Sequence, residues 1–384
     1  MKIAFIVGKD AKTDPYRFRY NEEEAPKWLR NQVKNFLDFA DKRRHQFPTD
    51  VAMAMYLSEK YPKDEFKCFN GLEVSVKELD EYDVVFNIYD AIEIFHHLPK
   101  GKTSPDKSKR FESMLKRTKA IVYPFPEFHK YIIVKPTYYA DLKRNGIPVV
   151  DFLKAVPKNI VNNPDKFISA IHEKNWKGII VKPSYSGYSI GIKVFKNISS
   201  TNDETIIKHF EYLDKKGFPS ATVQEYIPSF KKHYEIRTYW LNGKYVHAVG
   251  TGLEDKYDET FISEGGAIPE SVKRGLITMG KKVLSSIMQF PVQHPLVRID
   301  FGCCLKTDDC EETYFVNEVE TCAANMLDAE GREIVEEAAE SFYRFAKKIK
   351  KLGKKRSSRS KKRSVKKSAK KSRNKKQMCP VYEP

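Results

Sequence analysis

Residues 178–195, GIIVKPSYSGYSIGIKVF, constrain the fold more than any other stretch of the chain. Their first part, Ile179-Ile180-Val181, is apolar and β-branched but too short for a helix, so it predicts a buried strand. Lys182 and Pro183 end that strand, a Gly/Ser-rich loop follows, and Ile192–Phe195 predicts a returning strand. Backbone N–H groups in such a loop approach anions closely, and a lysine adds a compact cation that suits phosphate. The alternative is an ordinary Gly/Ser hairpin with Lys182 at a solvated strand end.

Strand and helix patterns alternate through the first third of the chain. Short apolar runs predict strands at 3–7, 83–88 and 120–123, and helical periodicity extends over about 22–45 and over 51–60, the latter capped by Thr49 or Asp50. Such alternation is typical of an α/β domain. We therefore expect an N-terminal α/β domain over residues 1–125.

The rest of the body predicts a mixture of helices and hairpin-forming strands. Asn242-Gly243 is the strongest short signal for a hairpin, and it lies at the centre of residues 234–251. Lys135 stands at the N-terminal edge of a helix that begins at Pro136 or Thr137 and ends at Arg144. Strands are expected at 221–227, 296–301 and 314–320, and helices at 271–289 and 330–351.

Four charged residues lie on two of these strands with a spacing of two. Side chains two apart on a strand share a face, so Arg298 projects with Asp300 and Glu318 projects with Glu320. Their neighbours are apolar, and a buried charge is costly unless it is paired or bound to metal. Three carboxylates from adjacent strands suit Mg²⁺, a hard cation that takes oxygen ligands. The alternative is a salt-bridged sheet face, and the spacing alone leaves both interpretations open.

The net charge of +18 is concentrated near the C-terminus. Residues 354–376 carry 14 Lys/Arg and no acid, which leaves a net charge of only +4 for the rest of the chain. Because the segment has almost no apolar residues for a core, we expect 352–384 to be a disordered basic tail. Such a tail is suited to binding nucleic acid or an acidic protein, or to nuclear import.

Sequence features also bear on the cellular compartment. The N-terminus lacks a signal-peptide pattern, and no apolar run approaches the length of a membrane span. The six cysteines form no CxxC pair and are expected to be reduced thiols. We therefore expect an intracellular protein without membrane contact, cytoplasmic or, through the basic tail, nuclear.

Several motifs, taken together and in order, resemble those of the ATP-grasp superfamily over about residues 120–350. The segment IVKPSYSGYSIG resembles the phosphate-loop segment of D-alanine–D-alanine ligases, and Lys135 and Lys182 match the two ATP lysines. Arg298-Ile299-Asp300 matches an Arg-x-Asp that supplies an intermediate-stabilising arginine and the first metal ligand, and Glu318 matches the second ligand. Each motif alone is weak, but their common order and spacing make a strong signal.

Two further motifs are similar to those of ribosomal-protein glutamate ligases. Gln224-Glu225-Tyr226-Ile227 resembles the hinge that binds adenine through backbone groups, and Glu235 with Arg237 resembles an Asp-Ile-Arg motif. The resemblance implies an α/β (α+β) chain with an ATP-grasp domain over 126–351. Within that domain a small subdomain is implied at about 150–228, behind a pre-ATP-grasp domain over 1–125.

The resemblance also implies a function and a set of site residues. The implied activity is an ATP-dependent carboxylate–amine ligase that works through an acyl phosphate on small-molecule or peptide substrates, with ATP and Mg²⁺ as cofactors and Mn²⁺ as the alternative metal. Arg298 and Lys182 are the implied catalytic residues. The implied metal ligands are Asp300, Glu318 and Glu320, and the implied ATP ligands are Lys135, Lys182, Ser189, Gln224, Glu225, Tyr226, Ile227, Glu235 and Arg237.

Two departures from the family pattern keep other interpretations open. Glu320 stands where the family has an asparagine, and Tyr188 replaces a small serine that orients substrate in D-alanine–D-alanine ligases, which argues against that dipeptide-forming reaction. The alternatives are an ATP-grasp kinase that phosphorylates a hydroxyl, and a binder of nucleic acid or acidic polymer with a vestigial ATP site. The sequence names neither the acid nor the amine, and it does not indicate an oligomeric state.

Overall fold

The computed structural model describes most of the body of the chain. Ser189 and Tyr188 in the Gly/Ser loop, and residues 353–384 of the predicted tail, lie outside the described residues. Among the described helices, none is long and apolar enough to cross a membrane. The described residues are 1–8, 18–21, 27–39, 46–88, 105–186, 190–227, 235–251, 268–290, 292–305, 312–321 and 334–352.

Strands and helices are numbered here along the chain. The strands are β1 (Lys2–Val7), β2 (Phe18–Asn21), β3 (Gln46–Pro48), β4 (Glu65–Asn70), β5 (Val84–Phe86), β6 (Ile121–Tyr123), β7 (Phe152–Ala155), β8 (Ile179–Pro183), β9 (Lys193–Phe195), β10 (Ala221–Glu225), β11 (Glu235–Leu241), β12 (Lys244–Thr251), β13 (Leu296–Leu305) and β14 (Glu312–Glu320). The helices are α1 (Lys27–Phe36), α2 (Thr49–Lys60), α3 (Val76–Leu79), α4 (Pro105–Arg117), α5 (Pro126–Ile133), α6 (Lys135–Arg144), α7 (Pro157–Asn162), α8 (Pro164–His172), α9 (Asp203–Lys215), α10 (Glu270–Ser286) and α11 (335–352).

The N-terminal sheet is parallel, with strand order β4-β1-β5-β6. Buried apolar side chains of β1 and β5 fill its two faces, as expected for strands covered on both sides. Helix α11 packs on this sheet, because Phe342 lies in the same hydrophobic core as Phe5 and Phe86. The Tyr343 hydroxyl also donates to Asp64 Oδ2 at 2.5 Å. The last helix therefore belongs to the core of the N-terminal sheet, although it is far away in sequence.

The middle sheet is antiparallel, with strand order β7-β10-β8-β9. Ile179, Val181, Ala221 and Val223 share one hydrophobic core on one of its faces, to which α8 and α9 also contribute. Gly178 precedes β8 at a position where a Cβ would come within 2.6 Å of the carbonyl oxygens of Phe195 and Lys196, so only glycine fits there.

The C-terminal sheet is antiparallel, with strand order β12-β11-β13-β14. Trp240, Ile299 and Val319 lie in a core on one face together with residues of α10. The β11–β12 hairpin turns at Asn242-Gly243, as the sequence predicts, and both residues have positive φ, at 51° and 75°. This is the φ pattern of a type I′ turn.

Several boundaries differ from the sequence-based expectations. Helix α2 begins at Thr49, so Thr49 and Asp50 lie inside it, and the cap position is taken by Pro48 without a side-chain hydrogen bond. Within the helix expected over 22–45, the described residues form α1 (Lys27–Phe36) and then a 3₁₀ turn (Leu37–Phe39), and residues 22–26 and 40–45 lie outside the described residues. Strand β7 and helices α4, α5, α7, α8 and α9 are among the elements that no sequence pattern predicts. The proposed domain boundaries at 125 and 351 stay a prediction.

Candidate active site

The candidate site lies in the cleft between the middle and C-terminal sheets. Register places its residues in two rows across the C-terminal sheet. In one row Arg237 is opposite Asp300, which is opposite Glu318. In the other row Arg298 is opposite Glu320. Because the apolar residues between them face the α10 core, these charges project from the opposite face toward the middle sheet.

Arg298 is the centre of the second row and is held by two acids. Its Nε and Nη2 atoms donate to the two oxygens of Asp300 at 2.8 and 2.7 Å, and Nη2 also lies 2.8 Å from Glu320 Oε2. Arg298 is only 6% exposed and Asp300 only 1%. Burial alone lowers the pKa of Arg298, but the two carboxylates raise it well above its usual value. Burial also raises the pKa of Glu320, against the opposing effect of Arg298. The guanidinium is therefore a fixed positive charge in the cleft.

Lys135 is the first residue of α6 and points into the same cleft. Its Nζ forms an ion pair with Glu318 Oε1. Burial lowers the pKa of Lys135, and the nearby Glu320 and Asp300 oppose that effect. Pro136 follows it in the first turn, where a missing N–H costs nothing. The prediction that Lys135 stands at this helix edge is confirmed.

Lys182 reaches the cleft from the middle sheet. Its Nζ donates to Asn317 Oδ1 on the C-terminal sheet at 2.9 Å. Burial lowers the pKa of Lys182 to about 7, with a further lowering by Lys135 and an opposing effect of Glu235. The contact with Asn317 joins the two sheets across the cleft, and burial lowers the pKa of both predicted ATP lysines against the opposing effect of Glu235.

Asn317 is a site residue that the sequence analysis did not identify. Its Nδ2 donates to Glu235 Oε1 at 2.7 Å, while its Oδ1 accepts from Lys182, so it bridges a buried acid and a lysine. The register of β13 and β14 shifts here, because Asp300 pairs with Glu318 but Phe301 pairs with Val316. Asn317 is the extra residue of a β-bulge, a feature that re-aims side chains and is common beside active sites. In a regular strand, alternation would place Asn317 on the face of the C-terminal sheet opposite to Glu318, away from the cleft.

Glu235 and Arg237 complete the cluster from β11. Arg237 Nε donates to Glu235 Oε2 at 3.1 Å, and Glu235 is 5% exposed. Burial and Arg298 lower the pKa of Arg237, but Glu235 and Asp300 outweigh them and raise it. Glu235 therefore accepts from both Arg237 and Asn317, which satisfies its buried carboxylate.

The predicted adenine hinge leads out of β10. Gln224 is 2% exposed and lies on the cleft side of the sheet. The N–H of Tyr226 donates to the carbonyl of Gly178 at 2.8 Å, and burial raises the pKa of Glu225. Tyr139 on α6 connects the hinge with the charged cluster: it interacts with Gln224, and its hydroxyl donates to the Asn317 carbonyl at 2.5 Å.

Most of the predicted site residues thus come together. Within the described ranges, no group of three or more His, Cys, Asp or Glu side chains converges as a ready-made metal site. Glu318 and Asp300 are directly opposite each other, whereas Glu320 is one row away beside Arg298. Carboxylate oxygens of this kind fit Mg²⁺, but in the structure each is held by a cationic side chain. The residues that meet are Lys135, Lys182, Glu235, Arg237, Arg298, Asp300, Glu318 and Glu320, with Gln224 linked through Tyr139.

The chain is similar to known proteins in part of its sequence and in most of its fold. Residues 142–216, from the end of α6 to the end of α9, match the family described as D-ala D-ala ligase C-terminus. No curated protein is significantly similar to the chain in sequence.

Solved structures match over almost the whole chain at low identity. D-cycloserine synthetase DcsG has a TM-score of 0.59 at 13% identity, covering 90% of this chain and 100% of that one. D-alanine–D-alanine ligase from Bacillus anthracis complexed with ATP has a TM-score of 0.52 at 14% identity, covering 92% and 99%. D-alanyl-alanine synthetase A from Vibrio cholerae has a TM-score of 0.54 at 16% identity, covering 90% and 98%. Together with the sheet topology and the family match, these likenesses identify the chain as a protein of the ATP-grasp fold.

Proposed function

We propose that this chain is an ATP-dependent carboxylate–amine ligase. The observation that carries the proposal is the contact between Lys182 of the middle sheet and the Asn317–Glu235 pair of the C-terminal sheet. That contact places two lysines, two arginines and four acids in one cleft of an ATP-grasp fold. Mixed charges of this kind suit the transfer of a phosphoryl group, which depends mainly on positioning and electrostatics.

The proposed reaction has two steps. In the first, a substrate carboxylate oxygen attacks the γ-phosphorus of ATP, the bond to the β–γ bridging oxygen breaks, and ADP leaves with that oxygen. In the second, the nitrogen of an amine attacks the acyl phosphate carbon, inorganic phosphate leaves, and the nitrogen loses a proton to give an amide. Both steps build negative charge on oxygens that lysine and arginine side chains can stabilise.

The cluster suggests roles for three of its four cations. Lys135 and Lys182 would bind phosphate oxygens, because each carries a compact ammonium group at the cleft and each rests on a polar group that the nucleotide can replace. Arg298 is held rigidly by Asp300, so it is suited to stabilise the charge on the tetrahedral intermediate. Gln224 to Ile227 would contact the adenine. Ser189 is a further proposed ATP ligand.

The carboxylates would hold the metal that accompanies the nucleotide. Asp300 and Glu318 face each other across two strands, and Glu320 is the third proposed ligand. Mg²⁺, or Mn²⁺ in its place, would neutralise charge on the β- and γ-phosphates when it is bound. Before binding, Lys135 and Arg298 neutralise these acids, so metal binding requires Lys135 to leave Glu318.

The acid and amine substrates are proposed only as a class. D-cycloserine synthetase and the D-alanine–D-alanine ligases share the fold, and their names describe synthesis of D-cycloserine and ligation of D-alanine to D-alanine. We extend that class to small-molecule or peptide carboxylates and amines. Partners of the basic residues 352–384, nucleic acid or an acidic protein, stay a prediction from the sequence.

The test is a turnover experiment with matched variants. The purified chain is incubated with Mg·ATP and a metabolite or peptide mixture, and ADP and new masses are followed by mass spectrometry. Lys182→Ala serves as the inactive variant, and Lys196→Ala, at an exposed lysine near β9, serves as the control. We expect ADP coupled to a condensed product with the wild type and the control only. A product that gains one phosphate would instead establish a kinase, and the ligase proposal would fail.

A further inference from the structure

A row of three polar side chains crosses the cleft face of the middle sheet. Thr222 on β10 is paired in register with Lys182 on β8 and with Lys154 on β7. Its neighbours Ala221 and Val223 lie in the hydrophobic core of the opposite face. Alternation along the strand therefore turns Thr222 to the side from which Lys182 reaches Asn317.

The hydroxyl of Thr222 is buried without a hydrogen-bond partner. The residue is 0% exposed, and within the described part of the chain its Oγ1 makes no hydrogen bond. Buried hydroxyls normally have a partner, because the hydrogen bonds to water that are lost on folding must be replaced. Thr238 shows the usual situation: its hydroxyl donates to the Ile299 carbonyl and accepts from Trp240 Nε1, both at 3.0 Å.

The charges beside Thr222 indicate what a partner would be. The residue paired with Thr222 on each neighbouring strand is a lysine, so a lysine follows Thr222 on either side across the sheet. Lys154 is exposed on the edge strand β7, and no ion pair found among the described residues includes it. Lysines on both sides of a hydroxyl donor favour an anion with several oxygens, and a phosphate group fits this description.

We propose that Lys154, Thr222 and Lys182 form a single phosphate-binding row, in which the Thr222 hydroxyl donates to a phosphate oxygen of bound ATP. This inference deepens the proposed function and rests on it, since it takes ATP as the ligand of the cleft. It adds Thr222 and Lys154 to the binding residues, neither of which belongs to a motif noted in the sequence. The hydroxyl is then left unpartnered in the free protein because its partner arrives with the nucleotide.

The experiment compares Thr222→Val with a control that loses an equivalent hydroxyl elsewhere. Tyr245→Phe is matched, because the Tyr245 hydroxyl is also buried without a partner but packs beside Trp240, on the face of the C-terminal sheet away from the cleft. Affinities for ATP with Mg²⁺ and for adenosine are measured by calorimetry, and melting temperatures are measured without ligand. Thr222→Ser restores the hydroxyl in a smaller side chain.

We expect Thr222→Val to weaken ATP binding about tenfold, the effect of one hydrogen bond to a charged group. Adenosine affinity and the ligand-free melting temperature should not fall, Thr222→Ser should bind ATP nearly as the wild type does, and Tyr245→Phe should not change ATP affinity. The inference is overturned if Thr222→Val binds ATP normally, weakens adenosine equally, or lowers the melting temperature as Thr238→Val should. A wild-type chain that does not bind ATP would overturn the proposed function as well, which distinguishes the two failures.

Discussion

The lowered pKa of Lys182 makes a testable link between pH and nucleotide binding. Burial and the nearby Lys135 lower this pKa to about 7, while Glu235 opposes them. Near pH 7 about half of the free protein therefore carries a neutral Lys182. A bound phosphate favours the protonated amine, because it places negative charge beside Nζ. Binding of Mg·ATP should then be accompanied by uptake of a proton.

The size of the effect follows from the titration of one group. If only protonated Lys182 binds Mg·ATP well, the apparent affinity falls by the protonated fraction as pH rises above 7. With a pKa of about 7 for Lys182, that fraction decreases about 15-fold between pH 7 and pH 8.5. The uptake of protons per ATP bound should rise over the same interval from about half a proton towards one.

Calorimetry in buffers with different ionisation enthalpies measures both quantities. The control is Lys182→Arg, because a guanidinium keeps its charge over this whole range and has no proton to take up. We expect its Mg·ATP affinity to be almost independent of pH. Refutation would come from a wild-type affinity that is constant between pH 7 and 8.5, or from an equal decline in Lys182→Arg, which would assign the titration to another group.

Three further outcomes follow from packing and charge. Gly280→Ala on α10 should lower the free energy of unfolding by about 1–3 kcal/mol, because the added Cβ would overlap the Trp240 ring. Gly275→Ala on the same helix places its Cβ in open space and should raise the free energy of unfolding by about 1 kcal/mol. Urea denaturation measures both free energies, and equal effects of the two substitutions would contradict the reasoning. Asn317→Leu should lower the free energy of unfolding by about 2–3 kcal/mol and weaken Mg·ATP binding, since it leaves Lys182 and Glu235 without their hydrogen bonds to Asn317. Unchanged stability and affinity would show that these two hydrogen bonds are not needed. Removal of residues 352–384 should abolish affinity for DNA at low salt in a filter-binding assay, and affinity that survives would assign the nucleic-acid surface to the body.

The sequence was sufficient to predict most strands that carry the charged cluster. Lys182 follows a β-branched run, and Arg298, Asp300, Glu318 and Glu320 interrupt apolar strands at a spacing of two. Both patterns predict strands, and the structure has strands β8, β13 and β14 at these positions, with the charged side chains on one face of each sheet. The two interpretations of the acids, metal ligands or salt bridges, were left open, and in the free protein Arg298 does pair with Asp300 and Glu320.

Asn317 was not predicted as a site residue, because a β-bulge interrupts the regular alternation of side chains along β14. Val316 and Val319 lie in the same core although they are three residues apart, which is impossible for a regular strand. The three-residue spacing of two buried valines is the sequence feature that indicates the bulge. The predicted end of α2 at residue 60 is confirmed, but its predicted start was wrong: the helix begins at Thr49, and Asp50 is fully buried in its first turn instead of capping it.

The role proposed for Thr222 could not be predicted from the sequence, because it depends on the missing hydrogen-bond partner of its hydroxyl. A threonine in a strand is ordinary, and only the structure shows that its hydroxyl is buried without a partner beside Lys182. Register across three strands that are distant in sequence then places Lys154 on its other side. Properties of this kind depend on which strands are neighbours, and local sequence patterns do not contain that information.

The balance of charge in the cleft explains how an acid at position 320 is compatible with nucleotide binding. Arg298 is shared between Asp300 and Glu320, so its charge is strongly screened in the free protein. A triphosphate brings further negative charge, which the cleft can accept only together with divalent cations. Transfer of Glu320 to such a cation would leave Arg298 held by Asp300 alone, with one side of the guanidinium open to a reacting oxygen. We propose on this basis that Glu320 would make the availability of Arg298 dependent on metal, since the arginine would be released only when a metal is bound. The described cleft carries the acids Glu235, Asp300, Glu318 and Glu320 and the bases Lys135, Lys182, Arg237 and Arg298.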